Sequence, residues 1–291
     1  MTDTTSLRTH VVTLLENIRF EQSLFTLPFA YIGMILAGRG LPTAAQFLWI
    51  TLAMVGARTF AMNMNRIIDL DLDSQNPRAA GRPLPSGRLS LRAVWLYCMA
   101  SVALLLFAAW QLNPLCVILF PVAMVVLTGY SYVKRFTWLT HMVLGVALAG
   151  APVGGWVAVA GTLSLEPLLL FLTVWTWATG FDILYACGDT EEDRRLGVHT
   201  ISVDFSIRTA LIVSALFHAG TLMMLAVLGL TFGLAWPYWA GVVVVAGLLI
   251  YEHSIVTPND LSRLTTAFFT INGYVSTLVL LGTATGLLFA P

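Results

Sequence analysis

"AGVVVVAGLLIY", residues 240–251, carries no charged side chain. Together with "VALLLFAAW", residues 102–110, it lies inside longer apolar stretches of the roughly 20 residues that a helix needs to cross a bilayer. The rest of the chain follows suit, with 58% apolar residues, 10% charged residues and a mean hydropathy of +0.82. Soluble domains carry about a quarter charged residues, so this composition implies an all-α, polytopic membrane protein. The formal net charge is zero and gives no basic footprint for nucleic acid. Cys98, Cys116 and Cys187 lie scattered in or beside apolar segments without metal-ligand spacing, and read as small core residues. The polar start "MTDTTSLRTH" does not read as a removable signal peptide.

Hydropathy predicts nine transmembrane helices, near 14–38, 45–69, 92–111, 114–132, 138–161, 165–187, 208–230, 234–252 and 264–288. The connections after the third, fifth and seventh, "QLNP", "GTLSLEP" and "TFGLAWP", hold no Lys or Arg, whereas those after even-numbered helices hold most ionisable residues. By the positive-inside rule this puts the N-terminus and the connections 70–91 and 188–207 in the cytoplasm and the C-terminus outside, with Arg39 the exception. The expectation is one transmembrane domain over 1–291, in a prokaryotic plasma membrane, with no obligatory protein partner evident.

Against this apolar background "NMNRIIDLDLDSQNPR", residues 63–78, gathers three aspartates within five residues. Asn65, Asp69 and Asp73 are spaced by four, so on a helix they share one face at the cytoplasmic end of the second span. "DILYACGDTEEDRR", residues 182–195, repeats the spacing with Tyr185, Asp189 and Asp193, and Asp182 lies one turn deeper. The two runs hold equivalent places in helices 1–4 and 5–8, which suggests a diverged internal repeat. A single acidic run at a helix end reads as solvated surface. Two convergent runs repel unless cations sit among them. Oxygen ligands at this density suit Mg²⁺, which takes one or two carboxylates and fills other positions with phosphate oxygens, while runs with no His and only the single Cys187 argue against zinc. Arg66, Arg78, Arg82, Arg88, Lys134, Arg135, Arg194 and Arg195 flank the runs. Metal with surrounding Arg and Lys is a way to hold a diphosphate and ease its departure.

"NRIIDLDLD" with the following "NPRAAGRPLPSGRLS", and "DILYACGDTEED" further on, resemble the UbiA superfamily of intramembrane prenyltransferases over essentially the whole chain. The resemblance implies nine helices, Asp69, Asp73, Asp189 and Asp193 holding Mg²⁺ on a prenyl diphosphate, and Asn65 supporting them. It also implies Arg66, Arg82 and Lys134 at or near the diphosphate, and Tyr185 and Asp182 facing the reaction centre. Tyr130, one turn before Lys134, matches more weakly and reads equally well as an interfacial aromatic.

Arg58 lies two turns deeper than Asn65, where an ionised arginine is costly unless it lines a polar cavity or meets an anion. One reading pairs it with Asp182. The other, implied by the resemblance to 4-hydroxybenzoate-type members, has it bind the carboxylate of an aromatic acid. The expected reaction is polyprenyl transfer to such an acid in ubiquinone or menaquinone biosynthesis. Prenylation of 1,4-dihydroxy-6-naphthoate in the futalosine route is an alternative, and a cation-coupled transporter is the rival from another class. Gly154 and Gly155 read as helix-packing positions or as room for the prenyl tail, Asn272 as an interhelical hydrogen bond, and His141 and His218 as satisfied structural groups.

Overall fold

A computed structural model describes residues 4–20 and 23–290. The named helices are α1 (Thr4–Asn17), α2 (Ser23–Gly38), α3 (Ala44–Ile68), α4 (Leu70–Gln75), α5 (Leu91–Leu112), α6 (Pro114–Val133), α7 (Thr140–Ala160), α8 (Glu166–Ala186), α9 (Thr190–Leu196), α10 (Ile201–Asp204), α11 (Ile207–Phe232), α12 (Trp236–Ser254) and α13 (Asn272–Leu288). A 3₁₀ turn, Cys187–Asp189, joins α8 to α9, and a π-helical segment, Thr266–Ile271, leads into α13. Among the described residues there is no strand, only one isolated bridge between Thr257 and Asp260.

Local chemistry sets the helix ends. Thr43 forms a capping box with Gln46, and the hydroxyls of Ser90 and Ser206 accept from the backbone of Ala93 and Thr209. Asn113 closes α5 and caps α6, and its amide also donates to the Val157 carbonyl of α7 at 2.8 Å. Gly161, Gly197 and Gly233 end α7, α9 and α11 in the left-handed conformation.

Seven helical stretches among the described residues are long and apolar enough to span a membrane: α3, α5, α6, α7, α11, Glu166–Leu196 and Thr266–Leu288. The apolar part of α2, Phe25–Gly38, is shorter. Trp236–Ser254 holds the place of the expected eighth span but carries aromatic and charged residues near its ends. The expected first span, 14–38, is not one helix. α1 stops at Asn17, Arg19 adopts a positive φ of 47°, α2 begins at Ser23, and residues 21 and 22 lie outside the described residues. Arg88 donates to Glu16 at 2.8 and 2.6 Å, tying α1 to the connection before α5 and holding the Glu16 carboxyl below the usual range.

Helix α2 packs on α7, α7 on α8 and α8 on α11, while α12 and α13 close back toward α2; α3, α5 and α6 flank this group. The α2–α7 contact is backbone to backbone. A Cβ on Gly33 would fall 2.1 Å from the Pro152 carbonyl oxygen, and one on Gly155 2.1 Å from that of Ala30. Phe29, Trp177, Phe181 and Phe268 form an aromatic core between α2, α8 and the π segment, with ring centroids 4.8–5.4 Å apart along the series.

Candidate active site

Helix α3 ends where the first acidic run begins, and Asp69 sits between α3 and α4. The Asn65 amide donates to Asp69 Oδ2 at 2.7 Å and to the Ser131 hydroxyl at 3.3 Å. Lys134 Nζ reaches the same carboxylate oxygen at 2.7 Å, and Arg135 the other at 3.4 Å. One turn on, Asp73 accepts from Arg82 at 2.7 Å through both oxygens and from Arg66 at 3.3 Å. Arg66 is buried and also donates to the Asn17 carbonyl, which anchors the end of α1 to the site.

The second run lies across the same opening. Arg78 pairs with Asp189 and donates to the Gly188 carbonyl at 2.6 Å, and Arg195 donates to the Gln75 carbonyl at 2.6 Å. Both contacts join the two runs. Asp193 lines the cavity with Asp69, Asp73, Asp182 and Asp189. Buried carboxylates cost free energy unless a cation meets them. Protein cations meet Asp69, Asp73 and Asp189, so these acids and bases form one exchangeable set into which a metal ion and a phosphate could partition.

The cavity measures about 680 Å³ and runs from this charged rim along α3, α5, α6, α7 and α8. Beyond the rim its wall includes Met54, Leu105, Leu119, Val126 and Ala151, an apolar lining suited to a hydrocarbon chain. Arg58 lies on the wall between these regions, near the Tyr130 hydroxyl. Tyr130 itself donates to the Ala61 carbonyl at 3.4 Å, so it faces the cavity and not an interface. Asp182 also lines the cavity, and His141 Nδ1 lies 2.7 Å from its Oδ2.

All twelve residues put forward from the sequence line this one cavity: Arg58, Asn65, Arg66, Asp69, Asp73, Arg82, Tyr130, Lys134, Asp182, Tyr185, Asp189 and Asp193. Sequence reasoning left His141 and Arg19 out of the site, reading His141 as a structural group. His141 is not the fully satisfied group expected, because its buried Nε2 has no hydrogen-bond partner among the described residues. Arg19 lines the cavity and points Nη1 at the Tyr185 hydroxyl, 3.5 Å away. A charged side chain inside a supposed first span was the available signal for the latter. Gly154 and Gly155 both border the cavity; Gly155 is in addition the close contact with α2, while a Cβ at Gly154 would meet nothing within 4 Å. Asn272 forms the interhelical hydrogen bonds expected of it.

A helical membrane protein with a charged rim over an apolar cavity is built to bring an ionic headgroup and a lipid chain together. The UbiA prenyltransferase family matches residues 26–274, and the chain belongs to that family. It is a multi-pass membrane enzyme, which sets the transporter reading aside. The 4-hydroxybenzoate octaprenyltransferase of Tolumonas auensis is 30% identical over 247 residues, 85% of this chain and 86% of that protein. That of Sodalis glossinidius is 29% identical over 253 residues, 87% of each. Among solved structures, a UbiA homologue from Aeropyrum pernix K1 superposes with a TM-score of 0.82 at 32% identity, covering 90% of this chain and 96% of that one. The fold is shared with an Archaeoglobus fulgidus homologue bound to GPP and Mg²⁺, with a TM-score of 0.70 at 22% identity over 94% of this chain and 99% of that one.

Proposed function

We propose that this enzyme transfers a polyprenyl group from a prenyl diphosphate to a ring carbon of an aromatic acid of the 4-hydroxybenzoate type, in ubiquinone or menaquinone biosynthesis. The carrying observation is Arg58, a guanidinium on the cavity wall between the rim of acids and bases and the apolar lining. Curated relatives bearing the name 4-hydroxybenzoate octaprenyltransferase support the same acceptor class. The carboxylate of 1,4-dihydroxy-6-naphthoate would suit Arg58 equally, so both acids belong in the assay.

In this reading Asp69, Asp73, Asp189 and Asp193 hold Mg²⁺, with Asn65 orienting Asp69. The donors fit the ion, since all are oxygens, and the one imidazole among the described cavity residues is engaged by Asp182. Mg²⁺ would neutralise charge on the departing diphosphate. Arg66, Arg82 and Lys134, released from Asp73 and Asp69, bind the diphosphate oxygens. The allylic carbon–oxygen bond breaks with its electron pair leaving on the diphosphate. The apolar wall and Tyr185 keep water from the allylic cation. Arg58 and Tyr130 hold the acceptor so that a ring carbon beside its hydroxyl forms the new carbon–carbon bond. That carbon loses its proton to Asp182, whose carboxylate is oriented by His141, and the ring regains aromaticity. The nine-span count, with the N-terminus and active site facing the cytoplasm of a prokaryotic plasma membrane and the C-terminus outside, completes the proposal, as does a single domain over 1–291.

The test is prenyl transfer by purified protein in lipid from geranyl diphosphate to each acid, with and without Mg²⁺. Metal-dependent product that disappears in Asp69→Ala is expected, and the preferred acid names the route. Tight Mg²⁺-dependent binding of geranyl diphosphate without product from either acid would overturn the acceptor class and leave the diphosphate site standing.

A further inference from the structure

Away from the cavity, three ligating side chains converge in the packing of α11 and α12. His218 Nδ1 lies 2.9 Å from His253 Nε2 and 3.4 Å from Glu252 Oε2, and all three ligand atoms lie within 4.8 Å of one another. Glu252 is fully buried and His218 is 2% exposed. Glu252 Oε1 accepts from the Asn272 amide at 2.8 Å, but Oε2 is buried and has no hydrogen-bond partner among the described residues.

Hydrogen bonding alone leaves this cluster incomplete. With Glu252 ionised, the proton between the two imidazole nitrogens leaves the carboxylate oxygen beside them without a partner, and such a buried oxygen is costly. A cation at the common point serves all three. Tetrahedral zinc with bonds of about 2.0–2.1 Å holds its ligand atoms roughly 3.3 Å apart; the two separations made by His218 Nδ1, 2.9 and 3.4 Å, bracket that figure, and the His253 and Glu252 ligand atoms lie within 4.8 Å of each other.

We propose that His218, Glu252 and His253 form a second metal site, for a divalent transition metal of the zinc class. Two imidazoles with one carboxylate favour such an ion over Mg²⁺, whose preference is for oxygen alone. The site is therefore chemically distinct from the aspartate rim. Packing positions His218, whose buried Nε2 has no hydrogen-bond partner among the described residues, and a hydrogen bond positions Glu252. A Cβ at Gly180 of α8 would lie 2.3 Å from His218 Cδ2, so the absence of a side chain there is what admits the ring. Asn272 supports Glu252 and in turn accepts from Trp177 Nε1 at 2.7 Å. Trp177 lines the catalytic cavity. The metal thus clamps α11 to α12 and, through Asn272, steadies the cavity wall on α8. His253 is half-buried, which leaves a route for the ion to reach the site.

The full-length protein, purified in detergent and stripped with chelator, is incubated with Zn²⁺ in the presence of excess Mg²⁺ and then desalted. About one retained zinc per chain is expected, with an X-ray absorption spectrum showing imidazole scattering from two histidines, and with Tm raised by about 5 °C or more. His253→Gln, a change at a half-buried position, should lose the retained zinc and the Tm shift while keeping Mg²⁺-dependent binding of geranyl diphosphate. That last readout reports an intact fold and keeps this test separate from the acceptor assignment. Failure of wild-type protein to retain zinc, retained zinc with oxygen-only ligation, or undiminished retention in His253→Gln would each overturn the proposal.

Discussion

Arg58 and His141 carry the acceptor chemistry of the proposed reaction, and their substitutions separate binding from turnover. A charge-assisted hydrogen-bonded contact is worth about 1.5–3 kcal/mol, so Arg58→Gln should raise KM for the aromatic acid on the order of 10- to 100-fold. The affinity for prenyl diphosphate, held at the rim, should not move, and paired substrate titrations check both. His141 acts through Asp182, to which it is bound at 2.7 Å. His141→Asn should lower kcat by about 10²-fold, the lower end of what a positioned acid–base group contributes, with little change in either KM. A purely structural role would instead lower Tm and raise both KM values.

At the scale of the element, the closest approach of α2 and α7 decides whether the cavity keeps its shape. Gly33 and Gly155 let the two backbones touch. Gly155→Ala forces them apart and should cost about 1–3 kcal/mol, as overpacking does, read as a lower Tm. Gly154→Ala, one residue away with open space beside it, should leave Tm unchanged. The same elements show where pattern reading stops. Hydropathy joined 14–38 into one helix because its residues are mostly apolar, yet the chain turns at Arg19, whose side chain lines the cavity beside Tyr185. A charge beside a site costs little once a cavity receives it, and no window of local hydropathy reports a cavity.

For the whole molecule, the arrangement places a hydrophilic reaction at one end of the cavity and leaves its apolar remainder for the chain of the substrate. Val122 of α6 lines the cavity and is 59% exposed, which makes its side of α6 the expected passage for the chain. Val122→Trp should narrow that passage. The expected outcome is a fall in turnover of a long polyprenyl diphosphate, with geranyl diphosphate turnover retained, measured as the ratio of the two rates at saturating acceptor. An unchanged ratio would place the passage for the chain elsewhere around the bundle.

The sequence by itself determined the membrane class, most of the helices, and both acidic runs, because each rests on local quantities: apolar length, a four-residue period, capping residues and charge beside a span. The spacing of Asn65, Asp69 and Asp73, and of Tyr185, Asp189 and Asp193, singled out six of the candidate residues, and the flanking charge and the resemblance to the UbiA superfamily supplied the other six; all twelve line one cavity. Only the tertiary structure decided the partners. Asp182 meets His141 from α7, Arg19 meets Tyr185 from α8, and His218 meets Glu252 and His253 from α12. Each of these contacts joins residues far apart in the chain, and is set by how closely two helices approach and at what rotation. Side-chain pairing across helices depends on that rotation, which periodicity along a single helix does not encode.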